Sequence, residues 1–279
     1  MVSWETVLLL MIIAFIAEYI DSTVGMGYGT TLTPILMLLF GFAPLQIVPA
    51  VLLSELITGI TAAAIHHRVG NVSLMPRSLN PGFIFNRVKE HGIRESVRTG
   101  VPIHLKIALV IISCSILGTL VSVYAALNLP KLYVKLYIGV LIFVLGVFVL
   151  VTSNRKFPFS WKKIVSLGIL ASFNKGISGG GYGPLVTGGQ LLSGVEERST
   201  VGITSFSEGI TCFIGITAYF IAGEIDLSLA PYLVVGAVAS APLSAYTVKI
   251  IPIRHLRLII GIVTIILGAS TLLQIFLSN

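Results

Sequence analysis

The sequence predicts an all-α polytopic membrane protein made of two inverted-topology repeats, each a broken helical hairpin plus three transmembrane helices. Three observations lead there. Of the 279 residues, 55% are hydrophobic and 10% are charged, whereas soluble domains carry about 25% charged residues. With a mean hydropathy of +0.99, the chain has too little polar surface to face water, so its main solvent is lipid. Apolar blocks of spanning length alternate with short polar stretches. Finally, the glycine-rich stretch 25–29 recurs at 179–183 within an ordered series of matches.

The first apolar region, 5–41, is broken by Asp21-Ser22-Thr23-Val24-Gly25-Met26-Gly27-Tyr28-Gly29. Its start has no basic segment and carries Glu5, which fits a retained segment better than a cleaved signal. The arms beside the break hold about 12–17 residues, short of the roughly 20 that a span needs. Region 5–41 therefore reads as a hairpin that enters and leaves on one side. Spans follow at 46–66, 104–126 and 132–152. Between the first two lies a polar loop, 67–103, with a turn signal at Asn80-Pro81-Gly82; the rest reads as a solvated loop in preference to a surface helix on lipid headgroups. The second repeat, 153–279, follows the same plan. Its hairpin is 162–194, broken at Asn174-Lys175-Gly176-Ile177-Ser178-Gly179-Gly180-Gly181-Tyr182-Gly183, and its spans are 199–222, 229–248 and 256–277. The first repeat is then 1–152.

A formal net charge of +7 raises nucleic acid as a partner, but the placement of the charges argues against it. Arg68, Arg77, Arg87, Lys89, Arg94, Arg98 and Lys106 lie between apolar blocks, as do Arg155, Lys156, Lys162 and Lys163, and then Lys249, Arg254 and Arg257. Such loops are cytoplasmic under the positive-inside bias. The loop with Glu224 and Asp226 is then external, as are both termini, and Lys131 and Lys135 run against the scheme. The expected location is a prokaryotic plasma membrane. Cys114 and Cys212 sit in separate apolar runs, with no spacing for a disulfide framework or zinc. They read as small membrane-helix residues, and no cofactor is expected.

Aligned on the breaks, Gly25 and Gly27-Tyr28-Gly29 face Gly179 and Gly181-Tyr182-Gly183, and Thr33 faces Thr187. After a one-residue slip, Ser54-Glu55-Leu56-Ile57-Thr58 faces Ser207-Glu208-Gly209-Ile210-Thr211. A hairpin plus three spans holds an odd number of crossings, so the second copy is upside down. The loops agree, basic after Gly70 and acidic after Gly223. Inverted repeats with matching interrupted helices are a signature of secondary transporters.

Gly25-Met26-Gly27-Tyr28-Gly29 followed by Leu32-Thr33-Pro34-Ile35-Leu36, the Gly70-Asn71-Val72 step, Gly179-Gly180-Gly181-Tyr182-Gly183 and Gly223-Glu224-Ile225-Asp226 resemble the TauE/SafE sulfite-exporter-like permeases. The resemblance covers nearly the whole chain. It implies transport of sulfite, sulfonates, related sulfur oxyanions or organic acids. Gly188-Gly189 departs from the family pattern, which often has Pro there.

The candidate site follows from the breaks. Gly25, Gly27, Gly29, Gly179, Gly181 and Gly183 allow positive φ and close backbone approach. A helix restarting after each break points free N–H groups, with partial positive charge, at an anion. Pro34 and Pro184 lie near the restarts, where a first helical turn tolerates Pro. Thr30, Thr31 and Thr33 either cap or touch the ligand. The simpler alternative is that the glycines only let helices pack closely. Lys175 and Asn174 come next: a buried cation holds an anion, snorkels to water, or pairs with Glu208. Glu55 and Glu208, beside Ser54 and Ser207, are coupling carboxylates or structural anchors, and Glu18 is similar without a match. Tyr28 and Tyr182 gate or pack, and His66 and His67 read as solvated.

The expected function is secondary transport of a small anion by alternating access, coupled to protons or sodium, with the lipid bilayer as surroundings. No ATP-binding P-loop is present, and the oligomeric state, monomer or homodimer, is left open. Two rivals stand beside this. Gly176-Ile177-Ser178-Gly179 fits the GxSG of rhomboid-like intramembrane proteases, and Thr23-Val24-Gly25-Met26-Gly27-Tyr28-Gly29 echoes a potassium-channel filter. The repeated feature is the glycines, since Val24 faces Ser178. A filter needs four equivalent loops.

Overall fold

A computed structural model describes residues 4–25, 27–76, 78, 80–152, 158–250 and 253–277. Met26, Arg77, Arg155 and Lys156, which figure in the sequence reading, lie outside the described residues. The described residues form helices and no strand: α1 (Trp4–Val24), α2 (Tyr28–Phe40), α3 (Pro44–Val69), α4 (Pro81–Gly100), α5 (Ile103–Asn128), α6 (Lys131–Thr152), α7 (Trp161–Ser178), α8 (Tyr182–Leu192), α9 (Glu197–Ile221), α10 (Ala230–Ile250) and α11 (Ile253–Leu277).

Six helices are long and apolar enough to cross a bilayer: α1, α3, α5, α10, most of α6 (Lys131–Phe148) and most of α9 (Arg198–Ile221). One of these corrects the reading of the breaks. With 21 residues, α1 is about 31 Å long, enough for a hydrocarbon core of about 30 Å. The two arms are thus unequal, 21 and 13 residues around the first break, 18 and 11 around the second. The expected span 256–277 falls within α11, whose apolar described portion is the shorter Ile265–Leu277.

The polar side chains at the ends of the long arms bond back one turn within the helix. Ser22 Oγ donates to Glu18 Oε1 (2.5 Å), Thr23 Oγ1 to the Tyr19 carbonyl (2.5 Å) and Ser178 Oγ to the Asn174 carbonyl (2.7 Å). Each hydroxyl is thereby satisfied one turn back within its own helix. Termination waits for glycine. Gly25 (φ 68°) donates its N–H to Asp21 O at 2.6 Å, and Gly179 (φ 69°) to Lys175 O at 2.9 Å. These left-handed caps are what glycine supplies at a helix end.

The polar stretch after α3 is also corrected. Much of it is helical as α4, kinked at Gly92 (φ 74°, ψ 163°), where a solvated loop was expected.

Six helix pairs dominate the packing: α6 with α11, α5 with α7, α1 with α10, α3 with α9, α3 with α10, and α5 with α9. Exchanging α1 with α7, α3 with α9, α5 with α10 and α6 with α11 returns the same six pairs. Small residues bring the backbones close. A Cβ on Gly59 of α3 would sit 2.7 Å from Ser205 O of α9, and one on Gly118 of α5 would sit 2.7 Å from Ile169 O of α7. Large side chains such as Leu8, Ile12 and Ile16 of α1 and Leu117, Val121 and Tyr124 of α5 remain exposed, as expected of a surface solvated by acyl chains.

His66 is a further correction. It is 0% exposed, not solvated. Nε2 donates to Ser22 O of α1 at 3.0 Å, and Nδ1 accepts from Asn71 Nδ2 at 3.0 Å. The same Asn71 amide donates to Ala245 O of α10 at 3.1 Å. This chain of bonds clips the end of α3 to α1 and α10. Replacing His66 with Ala leaves the Ser22 carbonyl and the Asn71 amide each short of a partner, at a cost of about 1–3 kcal/mol. A lowered unfolding temperature of the purified protein in detergent is the expected result.

Candidate functional site

The two glycine breaks lie directly against one another. Gly181 N–H donates to Thr30 Oγ1 at 2.8 Å, and Thr33 Oγ1 donates to Ser178 O at 3.2 Å. A Cβ on Gly180 would stand 2.7 Å from Thr30 N, and one on Gly183 would stand 2.7 Å from Gly27 Cα. Backbone thus meets backbone across the halves, which only residues without a Cβ allow. Gly25 approaches the Thr187 side chain of α8 in the same way. Pro184 falls in the first turn of α8, as expected. Pro34 instead lies inside α2, where it leaves the Thr30 carbonyl without a helical N–H partner.

The N–H groups at the start of α2 are not free for an incoming anion. Gly27 N–H donates to Asp21 Oδ1 at 2.6 Å, and Gly29 N–H donates to Glu55 Oε1 at 3.2 Å. The positive end of the helix macrodipole is occupied by the protein's own carboxylates. In the second half Gly181 N–H, the counterpart of Gly27 N–H, is held by the neutral Thr30 Oγ1, and Gly180 N–H by Ser178 Oγ at 3.1 Å.

Lys175 stands at the centre. It is 0% exposed, and its Nζ pairs with Glu208 Oε1 at 2.8 Å and with Glu55 Oε2. One ammonium from the second break therefore joins a carboxylate of α3 to a carboxylate of α9. Pairing with Glu208 was one of the alternatives for this lysine; the bond to Glu55 was not foreseen. Cys212, read from sequence as a small helix residue, points Sγ at Glu55 Oε2 at 3.6 Å. Glu18 (2% exposed) accepts hydroxyls from Ser22 at 2.5 Å and Thr58 at 3.2 Å. Oxygens of Asp21, Glu55 and Glu208 lie within 4.8 Å of one another, a spacing that suits a cation. Together with Glu18, Thr58, Gly59 and Ser205 they line a tight polar cleft.

The remaining predicted residues flank this cluster. Tyr28 and Tyr182 are each 0% exposed. The Tyr28 hydroxyl bonds Ser54 Oγ at 3.1 Å, and Tyr182 Oη accepts from Thr211 Oγ1 at 3.4 Å. Each tyrosine ties its own break to the following long helix of the same half. Ser207 bonds back to the Ile203 and Thr204 carbonyls at 2.9 and 3.1 Å. Asn174 Oδ1 accepts from the Tyr137 hydroxyl of α6. Ser178 donates to main-chain carbonyls, and no histidine pairs with it among the described residues, so nothing equips it as the activated nucleophile that a protease needs.

Comparison with known proteins agrees with this architecture. The family model described as "Sulfite exporter TauE/SafE" matches residues 10–84 and 92–271. A curated relative, the "Probable membrane transporter protein YtnM" of Bacillus subtilis (strain 168), is 26% identical over 290 residues, covering 97% of this chain and 85% of its own. No solved structure matches the chain. Family and relative are described as transporters, not as enzymes. A helical membrane protein matched over most of its length in this way belongs to the TauE/SafE family of membrane transporters.

Proposed function

We propose that this chain carries a small oxyanion, of the sulfite or organosulfonate class, by alternating access between two inverted halves. The exchange symmetry of the six main helix pairs supports the inverted repeat, as does the change of sign between the loops after Gly70 and Gly223. The basic loops are cytoplasmic under the positive-inside bias, in a plasma membrane.

The observation that carries the reading is Lys175, fully buried and shared between Glu55 and Glu208. It is the single buried cation where the breaks meet, among the described residues. A buried charge is tolerated only when paired, so an arriving oxyanion must take over the place of a carboxylate on Nζ. A proton or sodium ion bound by the released carboxylate keeps the site neutral, and this ties anion binding to cation binding. The cluster has four carboxylates, Glu18, Asp21, Glu55 and Glu208, near one lysine, and so is built to accept positive charge. The amides of Gly27 and Gly29 exchange Asp21 and Glu55 for substrate oxygens in the same step. Backbone amides, Thr30, Thr33, Asn174 and the tyrosines frame the exchange.

The test is saturable uptake of sulfite, thiosulfate and methanesulfonate by proteoliposomes, with and without a pH or sodium gradient. Wild-type protein should show flux that responds to one of the gradients. Gly27→Val and Gly181→Val, both at positive φ (84° and 77°), should abolish it while inserting into membranes normally. Unchanged flux in both variants would contradict the site.

A further inference from the structure

Two buried polar atoms on the far side of the break from Lys175 have no hydrogen-bond partner among the described residues: Gln190 Oε1 and Ser193 Oγ. Both side chains belong to residues that are 0% exposed. Buried polar groups are nearly always satisfied, and an orphan in a native protein calls for an explanation, a further bound group among them. Gln190 lies near the end of α8, and Ser193 lies in the turn that follows. Thr187 and Gln190 are i, i+3 neighbours on α8, and Ser193 follows three residues later in the turn. Thr187 Oγ1 bonds Thr204 Oγ1 of α9 at 2.9 Å, and Gln190 Nε2 donates to the same Thr204 oxygen at 3.0 Å. The row begins at the break, where Thr187 touches Gly25, and runs about 9 Å to Ser193 at 1.5 Å per residue. Ser193 is at the basic-loop end: Val195 packs on the same cluster as Val72 and Leu74.

The first half has no such row. In the alignment on the breaks, Gln190 faces Leu36 and Thr204 faces Val51. Both are fully buried in an apolar cluster with Leu10, Leu32 and Ile47. The aligned halves thus differ here, polar in the second and apolar in the first.

Resting on the transport reading above, we propose that Thr187, Gln190, Ser193 and Thr204 form a second binding station for the transported oxyanion, between the breaks and the basic-loop end. It holds the anion by neutral donors alone. The Gln190 amide turns to present its NH₂, with Thr204 donating to Oε1 in exchange, an alternative that leaves the heavy-atom positions unchanged. The Ser193 hydroxyl supplies a second donor. A site without a fixed cation binds weakly enough to pass its ion on, as stepwise conduction requires.

The experiment measures KM and maximal rate for sulfite, thiosulfate and methanesulfonate in proteoliposomes. Gln190→Leu, the residue of the other half, should raise KM at least about tenfold, the low end of the worth of a hydrogen bond to a charged group. Gln190→Glu, nearly isosteric but negative, should raise it further. Should Gln190→Leu fail to insert, Gln190→Glu and Ser193→Ala carry the test. Wild-type KM in Gln190→Leu, Gln190→Glu and Ser193→Ala overturns the station alone. A lower KM in Gln190→Glu also overturns it, in favour of a cation. Absence of saturable wild-type flux for all three anions removes the transport reading, and the station with it.

Discussion

Lys175→Met is expected to abolish transport and to destabilise the protein by about 3–5 kcal/mol, the cost of removing one partner from a buried ion pair. Glu55 and Glu208 would be left facing each other at 2% exposure. Neither has another positive group in contact among the described residues. Thermal unfolding in detergent reads the stability, and proteoliposome flux reads the activity. A second substitution separates the two roles. Adding Glu208→Gln to Lys175→Met removes one of the two stranded charges and should recover part of the stability, because a neutral amide tolerates burial better than an unpaired carboxylate. Transport should not return, since the anion still lacks its cation. If the double variant carried anions at the wild-type rate, Lys175 would be a structural clamp. Lys175→Arg is a harsher change than its charge suggests, because a planar guanidinium does not fit where a compact ammonium bridges two carboxylates.

Gly29→Ala and Gly183→Ala should have effects of similar size for a steric reason. A methyl on Gly29 falls on the Gly179 carbonyl, and one on Gly183 falls on Gly27 N. Both obstacles are main chain and cannot rotate aside. Overpacking of this sort costs about 1–3 kcal/mol where side chains can still adjust, and here the two breaks themselves must part. Loss of flux with a lowered unfolding temperature is the expected pair of readings. Gly100→Ala is the control. Its Cβ meets nothing within 4 Å, and its φ is not in the positive region, so its stability should stay within about 0.5 kcal/mol of wild type. Equal stability in Gly29→Ala, Gly183→Ala and Gly100→Ala would show that the breaks do not need their close contact.

Composition alone identified lipid as the solvent, and the glycine clusters marked where α1 and α7 end. Their contact, through Thr30 with Gly181 and Thr33 with Ser178, followed from reading two matched interruptions as one site. Helix ends were less legible. Ser22, Thr23 and Ser178 look like breakers, but each finds a carbonyl or carboxylate one turn back, a local choice that composition does not reveal. The filling of the α2 amides by Asp21 and Glu55 was not visible either. A carboxylate 26 residues away in the chain competes with any ligand, and only the fold shows that it arrives first. His66 was misjudged because its place at a helix end suggested water, whereas Ser22 reaches it from α1, 44 residues away, and Asn71 folds back on it from just past the helix end.

The packing of α1 also constrains how the protein is made. Its main partner, α10, begins at Ala230, more than two hundred residues after α1 begins at Trp4. During synthesis the first helix enters the membrane long before its neighbour exists. Contacts of such long sequence separation form late and slowly. Until the ribosome has delivered α10, the side of α1 that packs on it must be sheltered by lipid, by provisional neighbours or by the insertion machinery. Completion of the permease is therefore a closing step taken by its C-terminal helices, not a stepwise addition of finished parts.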